Sequence, residues 1–220
     1  MKKEKKKTEG SRFYRVCYAL FSRIVGLLFR IRVVGGDRPE LDRGNYLVCA
    51  NHISAADPVI LSYAMKHRQV HFMAKKELFK IPLLSSLIRM FGAFPVDRGG
   101  NDVGAIKTAV ARLVEGKNMG IFPQGHRYPK EDPRKTPVKN GAALIASRAK
   151  ADILPVYLWR KDNRAGVFRR TYVIIGEPIR YAELEGLCTG TGDYARMSER
   201  IFDAICTLGE KFEPENEAAK

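Results

Sequence analysis

At 220 residues, 45% of them hydrophobic, the chain is long enough to bury one substantial core and too short for two full-sized domains, so one main globular domain is expected. Its 39 Lys and Arg against 24 Asp and Glu leave a formal charge of +15, which favours phosphate-rich partners: nucleic acid, anionic lipid, or a phosphorylated substrate or cofactor. Cys17, Cys49, Cys188 and Cys206 lack paired spacing, and His52, His67, His71 and His126 lack an HExxH spacing, which argues against a bound metal and for free thiols in a reducing compartment.

Residues 2–7 contain five lysines, and residues 11–31 are then apolar but broken by Arg12, Arg15, Arg23 and Arg30. No uninterrupted apolar run of ~20 residues is present for a transmembrane helix, and no small-residue cleavage site follows for a signal peptide. Projected at about 100° per residue, Arg12, Arg23 and Arg30 fall in one arc with Arg15 on its flank, while Phe13, Cys17, Leu20, Phe21, Ile24, Leu27 and Leu28 fill the opposite side. That is a basic amphipathic helix. It can lie among lipid headgroups with its apolar face toward the acyl chains, or pack that face on the protein core; the lysine run favours the anionic membrane. Residues 1–35 are therefore expected to be a basic tail and a membrane-associating helix.

Beyond Gly35 and Gly36, β-rich runs at 46–50, 70–74, 93–96, 119–122, 153–158 and 172–175 alternate with helical stretches at 59–66, 83–91, 103–115 and 141–150, and a last helix is expected at 194–212. This alternation predicts an α/β domain over residues 36–212, with a largely parallel central sheet flanked by helices. Residues 129–137 and 186–193 read as surface loops, and 213–220 as a polar C-terminal tail.

Asn51-His52-Ile53-Ser54-Ala55-Ala56-Asp57-Pro58 joins the first of these strands to the first helix of the domain. In a parallel α/β sheet, ligands are met at the carboxyl ends of strands. His52 stands at such an end. An imidazole there can take a proton from an alcohol if its other nitrogen is held by an acceptor, and Asp57 could be that acceptor. Asp57 followed by proline is equally the pattern of a helix N-cap.

The Asn51-His52-x-Ser54-x-x-Asp57 sequence resembles the NHxxxxD box of the glycerolipid acyltransferases, in particular the bacterial 1-acylglycerol-3-phosphate acyltransferases. Three further blocks follow in that family's order. Lys76-Glu77-Leu78-Phe79, with Pro82 and residues 92–99 (GAFPVDRG), is similar to its second block. Phe122-Pro123-Gln124-Gly125-His126-Arg127 is similar to the third, usually written FPEGTR, and Ile153-Leu154-Pro155-Val156 to the fourth. Gln124 stands where glutamate is usual, His126 where threonine is usual, and Ser85 where glycine is common; a glutamine keeps the size and hydrogen-bonding oxygen of glutamate, so a modified site is expected.

The resemblance implies a glycerol-phosphate acyltransferase-like fold and an enzyme that moves a fatty acyl group from acyl-CoA or acyl carrier protein to the sn-2 hydroxyl of 1-acylglycerol 3-phosphate, giving phosphatidate. No cofactor or metal is implied beyond the thioester co-substrate. His52 would act as general base with Asp57 orienting it; Arg127, Arg98 and Lys76 would bind the substrate phosphate; and Asn51, Ser54, Gln124 and Gly125 would help position substrate. A peripheral or monotopic place on the cytoplasmic face of the cell membrane follows. Ser54 as a covalent nucleophile is the rival mechanism, but no GxSxG turn surrounds it. Two other readings stand beside this one: a different lysophospholipid acceptor, or a non-enzymatic basic module for lipid or nucleic acid. Neither interleaved aromatics nor a recognition helix supports nucleic acid.

Overall fold

A computed structural model describes residues 12–65, 68–96, 103–188 and 194–214. In chain order it holds α1 (Arg12–Phe29), β1 (Ile31–Val34), α2 (Glu40–Arg43), β2 (Tyr46–Ala50), α3 (Asp57–Ala64), β3 (Val70–Lys75), α4 (Pro82–Met90) and β4 (Phe94–Val96). There follow α5 (Val103–Val114), β5 (Asn118–Ile121), α6 (Gly141–Ala149), β6 (Asp152–Trp159), β7 (Thr171–Ile175), α7 (Tyr181–Leu184) and α8 (Ala195–Glu210).

The strands form one seven-stranded sheet in the order β1-β7-β6-β2-β5-β3-β4. Every neighbouring pair is parallel except β6 and β7, which bears out the largely parallel α/β expectation. Period-two alternation explains how one sheet serves two cores. On β2, Leu47 and Cys49 pack with α5, α6 and α8, while Tyr46, Val48 and Ala50 pack with α3. β6 and β7 divide in the same way, with Ile153, Tyr157, Tyr172 and Ile174 on one face and Leu154, Val156, Leu158, Val173 and Ile175 on the other. Because both faces are covered, these strands read as nearly continuous apolar runs. Trp159 and Tyr157 serve packing; Trp159 meets Tyr172 and Phe212 edge-on at 5.6 and 5.7 Å.

One expectation is corrected. Ile31–Val34 does not belong with the N-terminal helix but pairs in parallel with β7, so the sheet begins before Gly35. Its half-exposed IRVV pattern on an edge gives no clean alternation, and Arg30 and Arg32 continue the charge pattern of the helix before it. His71, within the expected strand 70–74, is buried on β3, with Nδ1 facing the Gly92 carbonyl at 3.1 Å. His67 and Arg98 lie outside the described residues, as do 215–220 of the expected C-terminal tail.

The helix α1 uses only part of its apolar surface on the protein. Val25 is buried and the Tyr18 hydroxyl donates to the Tyr63 carbonyl of α3 at 2.7 Å, whereas Ile24 and Leu27 face outward. Among the described residues, no helix is long and apolar enough to cross a membrane.

Candidate active site

The site begins where β2 ends. Asn51 is fully buried and replaces one rung of the β2–β6 ladder with its side-chain amide: Oδ1 accepts from the Leu158 N–H at 2.7 Å and Nδ2 donates to the Leu158 carbonyl at 3.2 Å. Its polar atoms are thus committed to the fold. They anchor the residue that follows.

The backbone of His52 is held on both sides by the loop after β5. Its N–H donates to Gln124 Oε1 at 2.6 Å, and its carbonyl accepts from the Tyr128 N–H at 2.9 Å. Gln124 is buried and donates through Nε2 to Thr136 Oγ1 at 2.7 Å, and the Thr136 hydroxyl donates onward to the Pro133 carbonyl. A neutral amide, with an acceptor at one end and donors at the other, completes this chain without a spare proton. Gln124 therefore fixes the backbone of His52. The tight turn that delivers it closes with Gly125 N–H donating to the Phe122 carbonyl, and Gly125 sits at φ +73, where a Cβ would be strained.

The imidazole of His52 stacks on Phe122, with centroids 4.0 Å apart and 13° between planes. Its Nδ1 lies 2.8 Å from Asp57 Oδ2. That same oxygen accepts the backbone N–H groups of Ile53 at 2.7 Å and Ser54 at 2.8 Å, while Oδ1 accepts from Ser54 Oγ at 3.2 Å and Arg160 Nη2 at 2.8 Å. The two sequence readings of Asp57 separate here. A helix cap would take N–H groups from the first turn of α3, but Asp57 takes them from residues before itself, and no side-chain cap bond is present at this helix. Burial works to raise the Asp57 pKa; the hydrogen bond from His52, the charge of Arg160 and the Ser54 N–H outweigh it and hold the carboxyl below its ordinary range. An ionised carboxylate only accepts, so Nδ1 carries the proton and Nε2 is left as the basic nitrogen.

Ser54 spends its hydroxyl inside this turn, donating to Asp57 and accepting from the Ala56 N–H at 3.1 Å. It belongs to the scaffold of the carboxylate. Arg160 was not visible to sequence reasoning. It lies just past the fourth block, is buried, and bridges Asp57 to Thr171 through Nε at 3.1 Å; only the adjacency of β6 to β2 brings it in.

His52 opens onto a cleft of about 850 Å³. Phe72, Met73, Val96, Ile106, Ile121 and Leu144 give it an apolar wall, and Gly125, His126, Lys139 and Asn140 supply polar groups. Lys139 is a second residue that sequence reasoning passed over. Arg127 is exposed on the same loop, one residue before the Tyr128 N–H that binds His52, but does not line the cleft. Lys76 is exposed just after β3 and also stands outside the cleft lining. Among the described residues, no group of three or more His, Cys, Asp or Glu side chains could hold a metal.

The family described as Acyltransferase matches residues 30–159, more than half of the chain. The chain belongs to the acyltransferase family. This acyltransferase is 31% identical over 202 residues to the 1-acyl-sn-glycerol-3-phosphate acyltransferase of Bacillus subtilis, an alignment covering 91% of this chain and 98% of that one. The enzyme of the same name from Streptococcus pneumoniae is 38% identical over 144 residues, covering 64% of this chain and 52% of that one. In three dimensions the acyltransferase matches the crystal structure of the 1-acyl-sn-glycerophosphate acyltransferase PlsC of Thermotoga maritima with a TM-score of 0.63 at 20% identity, over 92% of this chain and 79% of the other. That likeness concerns the fold. The paired His52 and Asp57 fall within the matched residues, as do Gln124 and Arg127; Arg160 stands one residue beyond them.

Proposed function

We propose that this acyltransferase moves a fatty acyl group from the thioester of acyl-CoA or acyl carrier protein to the sn-2 hydroxyl of 1-acylglycerol 3-phosphate, giving phosphatidate. The observation that carries the reading is the 2.8 Å contact from His52 Nδ1 to the ionised Asp57, which commits Nε2 as the base beside an apolar cleft. The names of the Bacillus and Streptococcus relatives support the choice of acceptor.

In this reading the acceptor hydroxyl gives its proton to His52 Nε2 as its oxygen attacks the thioester carbonyl. Asp57 stabilises the imidazolium so formed. Collapse of the tetrahedral intermediate breaks the carbon–sulfur bond, and the departing thiolate takes the proton back from Nε2, so the enzyme ends as it began. Arg127 supplies a planar guanidinium for the acceptor phosphate, with Lys139 as a further cation on the cleft wall. The apolar wall takes an acyl chain. Such substrates reside in a bilayer, and the outward Ile24 and Leu27 of α1, together with the lysine-rich segment before it, support a peripheral place on the cytoplasmic face of the cell membrane.

The test is His52→Ala assayed by mass spectrometry of products from a panel of lysolipids with acyl-CoA and acyl carrier protein donors. Phosphatidate formation is expected to fall by roughly 10² to 10⁴ with the melting temperature little changed. A variant that keeps the parent rate sinks the mechanism, and a parent enzyme that acylates only other lysolipids sinks the choice of acceptor.

A further inference from the structure

A second cavity, of about 430 Å³, lies between the loop that follows Arg127 and the loop joining β6 to β7. Three of the residues lining it are cations, Lys130, Arg164 and Arg169, and none is acidic; Glu131 and Asp162 stand outside the lining. The two loops are tied to each other, since Lys130 N–H donates to the Asn163 carbonyl at 3.0 Å and Asn163 Nδ2 donates to the Glu131 carbonyl at 2.8 Å. The cations therefore stand on a fixed frame.

Val167, on the lining of this cavity, is 54% exposed, and Phe168, next to it in sequence, is 65% exposed. Phe168 sits at φ 62, an uphill conformation for a bulky side chain, and its N–H donates to the Leu28 carbonyl next to Leu27, itself 72% exposed. The backbone bond to α1 thus holds an exposed phenyl ring beside an exposed leucine. The β6–β7 loop leaves the carboxyl end of β6 just as His52 leaves that of its parallel neighbour β2, so the basic cavity and the apolar tip share the edge of the sheet that bears the cleft.

We infer that this edge is a second membrane-docking element: the cavity takes the phosphate of one anionic phospholipid headgroup, while Val167, Phe168 and Leu27 enter the acyl-chain region. Exposed apolar side chains beside clustered Arg and Lys match the two layers of an anionic bilayer surface, headgroup charge outside and hydrocarbon within. The inference rests on the proposed membrane-surface activity for its purpose, and its lipid is a resident of the bilayer distinct from the acceptor held at Arg127.

The experiment measures co-sedimentation of the full chain with vesicles of phosphatidylglycerol or phosphatidylcholine, alongside turnover of a short-chain acceptor below its micelle concentration. Lys130→Gln/Arg164→Gln/Arg169→Gln is expected to lose roughly tenfold or more in partitioning to phosphatidylglycerol vesicles. Val167→Ser/Phe168→Ser is expected to lose binding to both lipids, and both variants to turn over the monomeric acceptor with unchanged KM and kcat. Vesicle binding equal to the parent in both folded variants overturns the inference, and inorganic phosphate binding by calorimetry in that case reassigns the cavity to a free anion. A raised KM for the monomeric acceptor also overturns it, making the cavity part of the substrate site. His52→Ala should bind vesicles like the parent, so loss of the catalytic reading and loss of the docking reading are seen separately.

Discussion

The backbone N–H of His52 donates to the side-chain oxygen of Gln124 at 2.6 Å across 72 residues of sequence, in a site where both residues are buried. Replacing Gln124 with alanine leaves that N–H and the Thr136 hydroxyl each short of a partner. Urea unfolding of Gln124→Ala is expected to show a loss of about 1–3 kcal/mol. Because His52 would lose its register, kcat should fall by roughly 10²-fold with little change in KM. Gln124→Glu keeps the oxygen that faces His52 and is expected to restore kcat to within a few fold, although Thr136 must then turn its hydroxyl from Pro133 toward the carboxylate. A Gln124→Ala enzyme that changed KM alone would place this side chain against substrate instead.

Arg160 and Asp57 form a buried ion pair, 2.8 Å apart. Arg160→Met leaves the carboxylate buried without its cation, and chemical denaturation should register a cost of about 3–5 kcal/mol. The double variant Asp57→Asn/Arg160→Met removes both charges and is expected to regain much of that stability while remaining inactive. Because the folded Asp57 pKa lies below its unfolded value, near 3.9, its stabilisation is fully present above that value and lost as pH falls through the folded one. Denaturation midpoints of Asp57→Asn at acid pH should lack this component. Equal stability of the Arg160 single and double variants would show that the pair is not coupled.

His71 gives a separate dependence on pH. Burial lowers its pKa to about 4, against the ordinary 6.5; the Gly92 carbonyl opposes that shift, and the charges of Arg112 and Lys117 add to it. Between those values the unfolded chain holds more protons, so stability is complete above pH 6.5 and declines as pH falls toward 4. The decline amounts to about 3 kcal/mol. His71→Asn keeps a donor for Gly92 but does not titrate, and its urea midpoints should vary less between pH 7 and pH 4 than those of the parent. Parallel curves for the two proteins would contradict a neutral, buried imidazole.

Sequence alone was enough for the features whose causes are local. His52 and Asp57 are five residues apart on one turn, so a pair was foreseeable from the strand-turn-helix pattern, and the apolar runs located β2 to β7 to within a residue or two. The choice between carboxylate acceptor and helix cap was not local, because it depends on which way the carboxylate folds back. Arg160, 103 residues from Asp57, and Thr136, linked to His52 only through Gln124, carry no mark in the sequence that distinguishes them from solvated polar residues.

Those relations were decided by the order of the strands. Setting β2 between β6 and β5 carries the ends of three distant segments to one edge, so that Arg160 meets Asp57 and the Gln124 turn meets His52. The same order gives IRVV a partner in β7 that its own four residues could not announce. Periodicity records which face of a segment is apolar; which segment covers that face is settled only when the whole sheet closes its two cores.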